Sequence, residues 1–184
     1  MRIVLVDGLW GWSQRMRWLA WRLEKLGCGS VEIFSYDASG LGPIEREADR
    51  FANNYANDDD LRVVGHSLGG ILIRTAAMRS PGLALKRSVF INSPHSGSLV
   101  AHCLPLPGIR QLQPGSKLMR LLADQPWSAK TLAVWCPGDL MVLPGHSARW
   151  EKADELMKCD LPLHNWPLIS PTFHRRIARF LTHE

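Results

Sequence analysis

Short apolar runs alternate along the chain with longer stretches whose apolar positions recur every three or four residues. The run Ile3–Val6, closed by Asp7-Gly8, predicts a buried strand. From Gln14 to Leu26, the residues Met16, Leu19, Leu23 and Leu26 fall at helical steps, with Ser13 a candidate cap at the start and Gly27 at the end. Val31–Tyr36 is strand-like. Pro43, as a first-turn proline, opens a second helix whose apolar face is Ile44, Ala48, Phe51, Ala52 and Tyr55. Leu61–Val64 predicts a strand, followed by a glycine-rich turn and a helix from Leu68 to about Arg79. Further strands are expected at Ser88–Ile91, Thr131–Trp135 and Met157–Leu161, and a closing helix at Thr172–Leu181. Residues 94–128 are irregular, broken by Pro94, Pro105, Pro107, Pro114 and Pro126, with one helical piece at Ser116–Ala123.

Strands alternating with helices predict an α/β fold: a mostly parallel sheet of about six strands with helices on both faces. The 184 residues are 46% apolar and 21% charged, which suits one domain over residues 1–184 and no second core. The proline-rich stretch leaves room for a small cap or lid at 99–128. No internal repeat or low-complexity segment interrupts this plan.

Charge narrows the function classes. Lys and Arg number 22 against 17 Asp and Glu, a formal +5, and no run of like charges forms a nucleic-acid tail. No nucleic-acid partner is therefore expected. The first predicted helix does gather Arg15, Arg17, Arg22 and Lys25, which reads either as a solvated face or as a surface attracted to anionic lipid or nucleic acid. Cysteines 28, 103, 136 and 159 form no C-x-x-C pair and no zinc-like spacing, so free buried thiols are expected, with no metal and no cofactor. The first apolar run is too short for a secretory segment, and no stretch approaches the roughly 18 apolar residues that span a bilayer. A cytoplasmic protein without a transmembrane segment is the expectation; nothing in the sequence sets an oligomeric state.

The chemistry centres on Gly65-His66-Ser67-Leu68-Gly69-Gly70. This is a G-x-S-x-G sequence set directly between a strand, Arg62-Val63-Val64, and a helix, Ile71-Leu72-Ile73-Arg74. A nucleophilic serine must project from a very tight turn, and flanking glycines let neighbouring backbone approach. The helix that follows aims free N–H groups and a positive dipole end at the same point.

GHSLGG before an apolar helix resembles the lipase/esterase branch of the α/β-hydrolases. Leu5-Val6-Asp7-Gly8-Leu9-Trp10-Gly11 is similar to that branch's LVHGLWG oxyanion loop, and Asn92-Ser93-Pro94-His95-Ser96-Gly97-Ser98 to its TPhxGS segment. Gly138-Asp139 and the later His164 resemble its acid and base loops. The resemblance runs over nearly the whole chain, lacks the first two strands of larger members, and is nearest to short bacterial lipase-like hydrolases. It implies a minimal α/β-hydrolase fold and a triad in the chain order serine, acid, histidine. Ser67 is then the nucleophile. Asp139, just after a late strand, is the acid, preferred to Asp124 before that strand, Asp154 in an expected helix, and Asp160 close to the base. His164, between the last strand and the last helix, is the base. His146 shares the acid's loop, His174 lies inside the last helix and is expected as a surface or helix-face residue, His66 points away from the serine, and His183 lies at the end. The oxyanion donors would be the Leu9 and Leu68 N–H groups. One departure stands out: Asp7 replaces the branch's histidine, placing an anion beside a site that stabilises negative charge unless its carboxylate is turned away and hydrogen-bonded.

Trp10, Trp12, Trp127 and Trp166 fall in loops expected at the catalytic edge and suit an apolar acyl pocket, whereas Trp18 and Trp21 are expected to be partly core. The substrate-contact candidates are Trp10, His66, His95 and Trp166. Together these features imply a serine hydrolase that cleaves carboxylic esters of small to medium acyl chains through an acyl-enzyme, with a small-molecule ester as its partner. A thioesterase or acyltransferase with the same triad is one alternative. A non-catalytic binding protein of the same fold, suggested by Asp7, is the other.

Overall fold

The computed structural model describes residues 1–11 and 13–183, Ser13 by its backbone alone. The cap expected at Ser13 and the role expected for Trp12 lie outside the described residues. Six strands form one sheet in the order β2-β1-β3-β4-β5-β6, with every neighbouring pair parallel. They are β1 (Arg2–Val6), β2 (Val31–Ile33), β3 (Leu61–His66), β4 (Leu85–Ile91), β5 (Lys130–Trp135) and β6 (Glu155–Lys158). The helices are α1 (Ser13–Lys25), α2 (Ile44–Asn54), α3 (Leu68–Arg79), α4 (Pro107–Arg110), α5 (Lys117–Asp124), α6 (Trp166–Ile169) and α7 (Pro171–Thr182).

A parallel sheet buries both faces, and the strand alternation divides the core in two. Ile3 and Leu5 of β1, Val64 of β3 and Val134 of β5 face α1, α6 and α7, packing against Leu19, Leu168 and Ile177. Val4, Val6, Val63 and Phe90 face the opposite way, toward Phe51 of α2, Ile71 of α3 and Leu122 of α5. Truncating one such fully buried residue, as in Phe51→Ala, is expected to cost about 3–5 kcal/mol of stability, readable in a denaturant titration.

Several boundaries differ from the sequence expectation for local reasons. Pro43 stands just before α2 in an extended conformation rather than in its first turn. Gly27 does end α1, with φ +88°, while the Cys28 N–H reaches back to the Leu23 carbonyl. β2 is only three residues long, though the Phe34 N–H beyond it still donates to the Leu5 carbonyl of β1 at 2.9 Å. Asp154 lies in a turn ahead of β6, not in a helix, and its carboxylate accepts the Thr131 N–H at 2.7 Å. His174 is fully buried within α7, its Nε2 hydrogen-bonded to the Leu168 carbonyl at 2.8 Å. The segment 99–128 holds a 3-10 turn (Leu99–His102), α4 and α5, and buried Ile109, Leu118 and Leu122 tie it to the α2/α3 face. Three cysteines are buried and Cys103 is exposed.

Candidate active site

The strand registers bring Val6, Gly65, Ile91 and Val134 to one edge of the sheet, so the loops that leave β1, β3, β4 and β5 open together. Ligand sites of open α/β sheets form outside the carboxyl ends of the strands. Ser67 occupies the single-residue junction between β3 and α3 at φ 51°, ψ −122°, and its N–H donates to the Ile91 carbonyl at 2.8 Å. A non-glycine residue there carries roughly 1–3 kcal/mol of strain, and the glycines around it explain how the chain tolerates so tight a turn. A Cβ on Gly65 would stand 2.6 Å from the Gly70 Cα. One on Gly69 would collide with the Val6 and Asp7 carbonyls, and one on Gly70 with the Ser93 hydroxyl. Strand, helix and the loop after β1 are thereby pressed together beneath the serine.

The loop after β1 supplies the next wall. A Cβ on Gly8 would meet both the Ser67 Cβ at 2.8 Å and its Oγ at 3.3 Å, so only a glycine lets this backbone approach the serine. The N–H groups of Leu9 and Leu68 have no hydrogen-bond partner among the described residues. Asp7, the departure from the lipase-like pattern, is buried. Its Oδ1 accepts the Gly8 N–H at 2.7 Å and the His66 Nδ1–H at 3.0 Å, Arg15 approaches Oδ2 at 3.4 Å, and the Tyr36 hydroxyl donates to its carbonyl at 2.8 Å. Burial pulls the Asp7 pKa upward, but the hydrogen bonds from His66 and Gly8 and the charge of Arg15 prevail and hold it below the usual carboxylate range. Its negative charge is held by Gly8 of its own loop, His66 of β3 and Arg15 of α1.

Asp139 and His164 meet across 25 residues of chain. His164 Nδ1 donates to Asp139 Oδ2 at 2.6 Å, while the other carboxylate oxygen accepts the N–H groups of Met141 at 2.8 Å and Val142 at 3.1 Å. Asp139 is fully buried, whereas the His164 side chain keeps 11% of its surface open. The acid loop is braced from the β4 side: the Ser98 hydroxyl accepts the Leu143 N–H at 3.0 Å, and the Leu99 N–H donates to the Leu143 carbonyl at 2.7 Å. Buried Asn92, in the left-handed region at φ 47°, donates through Nδ2 to the His164 carbonyl at 2.7 Å. Asn92, Ser98, Tyr36 and Arg15 are supports that sequence reasoning missed. Only Asn92 carried a usable signal, standing directly after a buried strand at the same edge as Ser67.

His66 lies back from the serine, as its strand position implies, and its ring packs against that of His164 with centroids 4.8 Å apart. It is 2% exposed, which seals it from substrate and overturns its expected substrate-contact role. Burial depresses the His66 pKa despite the neighbouring Asp7, so the ring is neutral and donates through Nδ1. His95 is likewise not at the mouth. Its ring stacks on Trp150 at 4.8 Å and contacts buried Arg74 at 3.2 Å, deep in the α3 side of the core. Trp127 belongs to that aromatic cluster, against Phe90 and Trp150, rather than to the catalytic edge. Trp10 is 52% exposed in the loop after β1, and Trp166 is half-buried at the start of α6. Trp18 and Trp21 are 44% exposed each and stack on one another outside the core. His146 is exposed in the acid's loop.

Cavities of about 380 and 370 Å³ lie elsewhere. The first is at the opposite sheet edge against Leu83, Leu85 and Trp127, the second beside the segment 110–121; neither is lined by Ser67, Asp139 or His164. No group of His, Cys, Asp and Glu among the described residues is placed to hold a metal ion.

Residues 3–183 match the alpha/beta hydrolase family. The chain belongs to the alpha/beta hydrolase family. This hydrolase has no match among curated proteins. Among solved structures it is similar to the ydeN gene product of B. subtilis, at 17% identity and TM-score 0.73, over 100% of this chain and 99% of that one. It is also similar to the monoacylglycerol lipase of Paleococcus ferrophilus, at 18% identity and TM-score 0.67, over 97% and 93%. A lipase-esterase related protein of Clostridium acetobutylicum follows at 11% identity and TM-score 0.62, over 97% and 93%. At these identities the likeness concerns the fold. No helix among the described residues is long and apolar enough to cross a membrane.

Proposed function

We propose that this hydrolase cleaves carboxylic esters of small to medium acyl chains through an acyl-enzyme on Ser67. The observation that carries the reading is the 2.6 Å pairing of His164 with buried Asp139, at the sheet edge where Ser67 stands in a strained strand-to-helix junction. Asp139 sets the tautomer of His164, leaving Nε2 as the base. Ser67 Oγ attacks the carbonyl carbon as its proton passes to His164 Nε2, and the carbonyl oxygen becomes an oxyanion facing the Leu9 and Leu68 N–H groups. Collapse of this intermediate breaks the ester C–O bond, and His164 returns the proton to the departing alcohol. A water then gives its proton to His164 and attacks the acyl-enzyme; the acyl C–Oγ bond breaks, His164 returns the proton to Ser67 Oγ, and the acid is released.

The pairing of Asp7 with Gly8, His66 and Arg15 supports catalysis over the non-catalytic alternative, because it neutralises the one feature that argued against an oxyanion hole. Trp10 and Trp166 are the proposed contacts for the acyl group, and the four free cysteines support a cytoplasmic setting. Ser67→Ala is expected to abolish both p-nitrophenyl butyrate turnover and labelling by a fluorophosphonate probe. Unchanged turnover in that variant would end the proposal, and faster acyl-CoA cleavage by the parent protein would move it to the thioesterase alternative.

A further inference from the structure

The helices α1, α6 and α7 pack on one another over one face of the sheet, and that face is unlike the other. Together α1 and α7 carry seven arginines and lysines against a single acid, Glu24, whose carboxylate is occupied by the Val31 N–H. Across the sheet, α2 alone has three acids against two arginines. On the basic face Arg15 is drawn to Asp7 and Arg176 to Glu155. Arg17, Lys25, Arg175 and Arg179 have no carboxylate partner among the described residues.

Apolar surface lies among these charges. Trp18 and Trp21, each 44% exposed, share a helical face with Arg17 and Lys25. Their rings stack with centroids 4.9 Å apart, and the Arg22 guanidinium lies 5.8 Å from the Trp21 ring. Ile169 of α6 adds exposed aliphatic surface on the same layer. Among the described residues, nothing covers these exposed side chains.

We infer that the α1/α6/α7 face docks on an anionic lipid bilayer, with Trp18 and Trp21 seated among the headgroups and Arg17, Lys25, Arg175 and Arg179 against lipid phosphates. An anionic bilayer offers negative charge together with apolar depth, and tryptophan favours that boundary. A second copy of the chain would set this cationic face against itself. A nucleic acid would match the charge but has no counterpart for Ile169. Because α6 begins two residues after His164, such docking sets the catalytic edge beside the lipid surface. Binding is read without turnover, so this inference stands or falls apart from the proposed esterase activity.

The test is flotation of the full chain with vesicles of phosphatidylcholine alone or mixed with phosphatidylglycerol. Binding is expected only to the mixed vesicles and is expected to weaken with salt. Each basic residue near such a surface is worth roughly fivefold in affinity, so the double variant Arg17→Glu/Lys25→Glu is expected to lose at least roughly 25-fold. Trp18→Ala/Trp21→Ala is expected to lose a comparable amount. Both should keep the parent's circular dichroism and p-nitrophenyl butyrate turnover, since all four residues are exposed and none pairs with Ser67, Asp139 or His164. The inference is overturned if the parent ignores phosphatidylglycerol or if the variants bind as the parent does. It is also overturned if the tryptophan variant dissolves a lipid-free dimer, or if DNA displaces the vesicles.

Discussion

His164 and His66 each give Nδ1 to a carboxylate, Asp139 at 2.6 Å and Asp7 at 3.0 Å, and the two rings lie 4.8 Å apart. The chemistry of the two pairs is nearly the same, yet their surroundings differ. Asp139 rests its second oxygen on the N–H groups of its own loop, and the ring it holds is still open to the site. Asp7 spends one oxygen on both Gly8 and His66, and the far nitrogen of His66 is buried without a partner among the described residues. A base must reach the serine and the substrate, so access to the free nitrogen divides the roles. The outer pair suits proton transfer. The inner pair instead fixes the loop that carries the Leu9 N–H.

The comparison is most strongly tested at the acids. Asp139→Asn is expected to lower kcat for p-nitrophenyl butyrate by about 10⁴-fold, because the asparagine favours the wrong His164 tautomer. Asp7→Asn is expected to cost less, about 10²-fold, through a displaced oxyanion donor. Equal losses in the two variants would mean that the inner pair is no mere support. His66→Ala is expected to leave kcat within about tenfold while lowering stability by about 1–3 kcal/mol, since it strips the buried Asp7 of a hydrogen bond; urea denaturation reads this.

The smallest expected effect is in pH. Burial holds the His66 pKa below its ordinary 6.5, and burial with the nearby Arg74 charge holds that of His95 well below it. The unfolded chain then binds more protons than the folded one below pH 6.5. Stability is full above that value and declines as pH falls, by at most about 1.4 kcal/mol per unit for each histidine. The depressed Asp7 carboxyl contributes above its ordinary 3.8 and is lost only as pH falls further, through its lower folded value. His66→Gln should therefore flatten the decline of Tm between pH 6.5 and 5, and an unchanged slope would show that His66 is not the group being titrated.

Much of this architecture was legible in the chain. The six strands and the helix at Leu68–Arg79 followed from apolar spacing, and the tight turn at Ser67 followed from three glycines around one serine. Chain order and resemblance to lipase-like hydrolases singled out Asp139 and His164, whose side chains pair at 2.6 Å. The misreadings share a physical cause. Burial of His95, His174 and Trp127, and exposure of Trp18 and Trp21, depend on what packs opposite, and a local pattern does not report its neighbour across the fold. Trp18 and Trp21 are apolar residues on the outer face of a helix whose inner stripe, Met16, Leu19 and Leu23, already fills the core.

The sequence by itself determined the elements and the strained serine, because strand alternation, helical period and the freedom of glycine act between residues a few positions apart. Only the tertiary structure decided which carboxylate each histidine meets. Those pairs span 25 and 59 residues of chain and exist only because a parallel sheet sets the ends of its strands side by side. It also decided the character of Asp7. As a residue in a list it is an anion beside an oxyanion hole; in the fold, Gly8, His66 and Arg15 hold its charge.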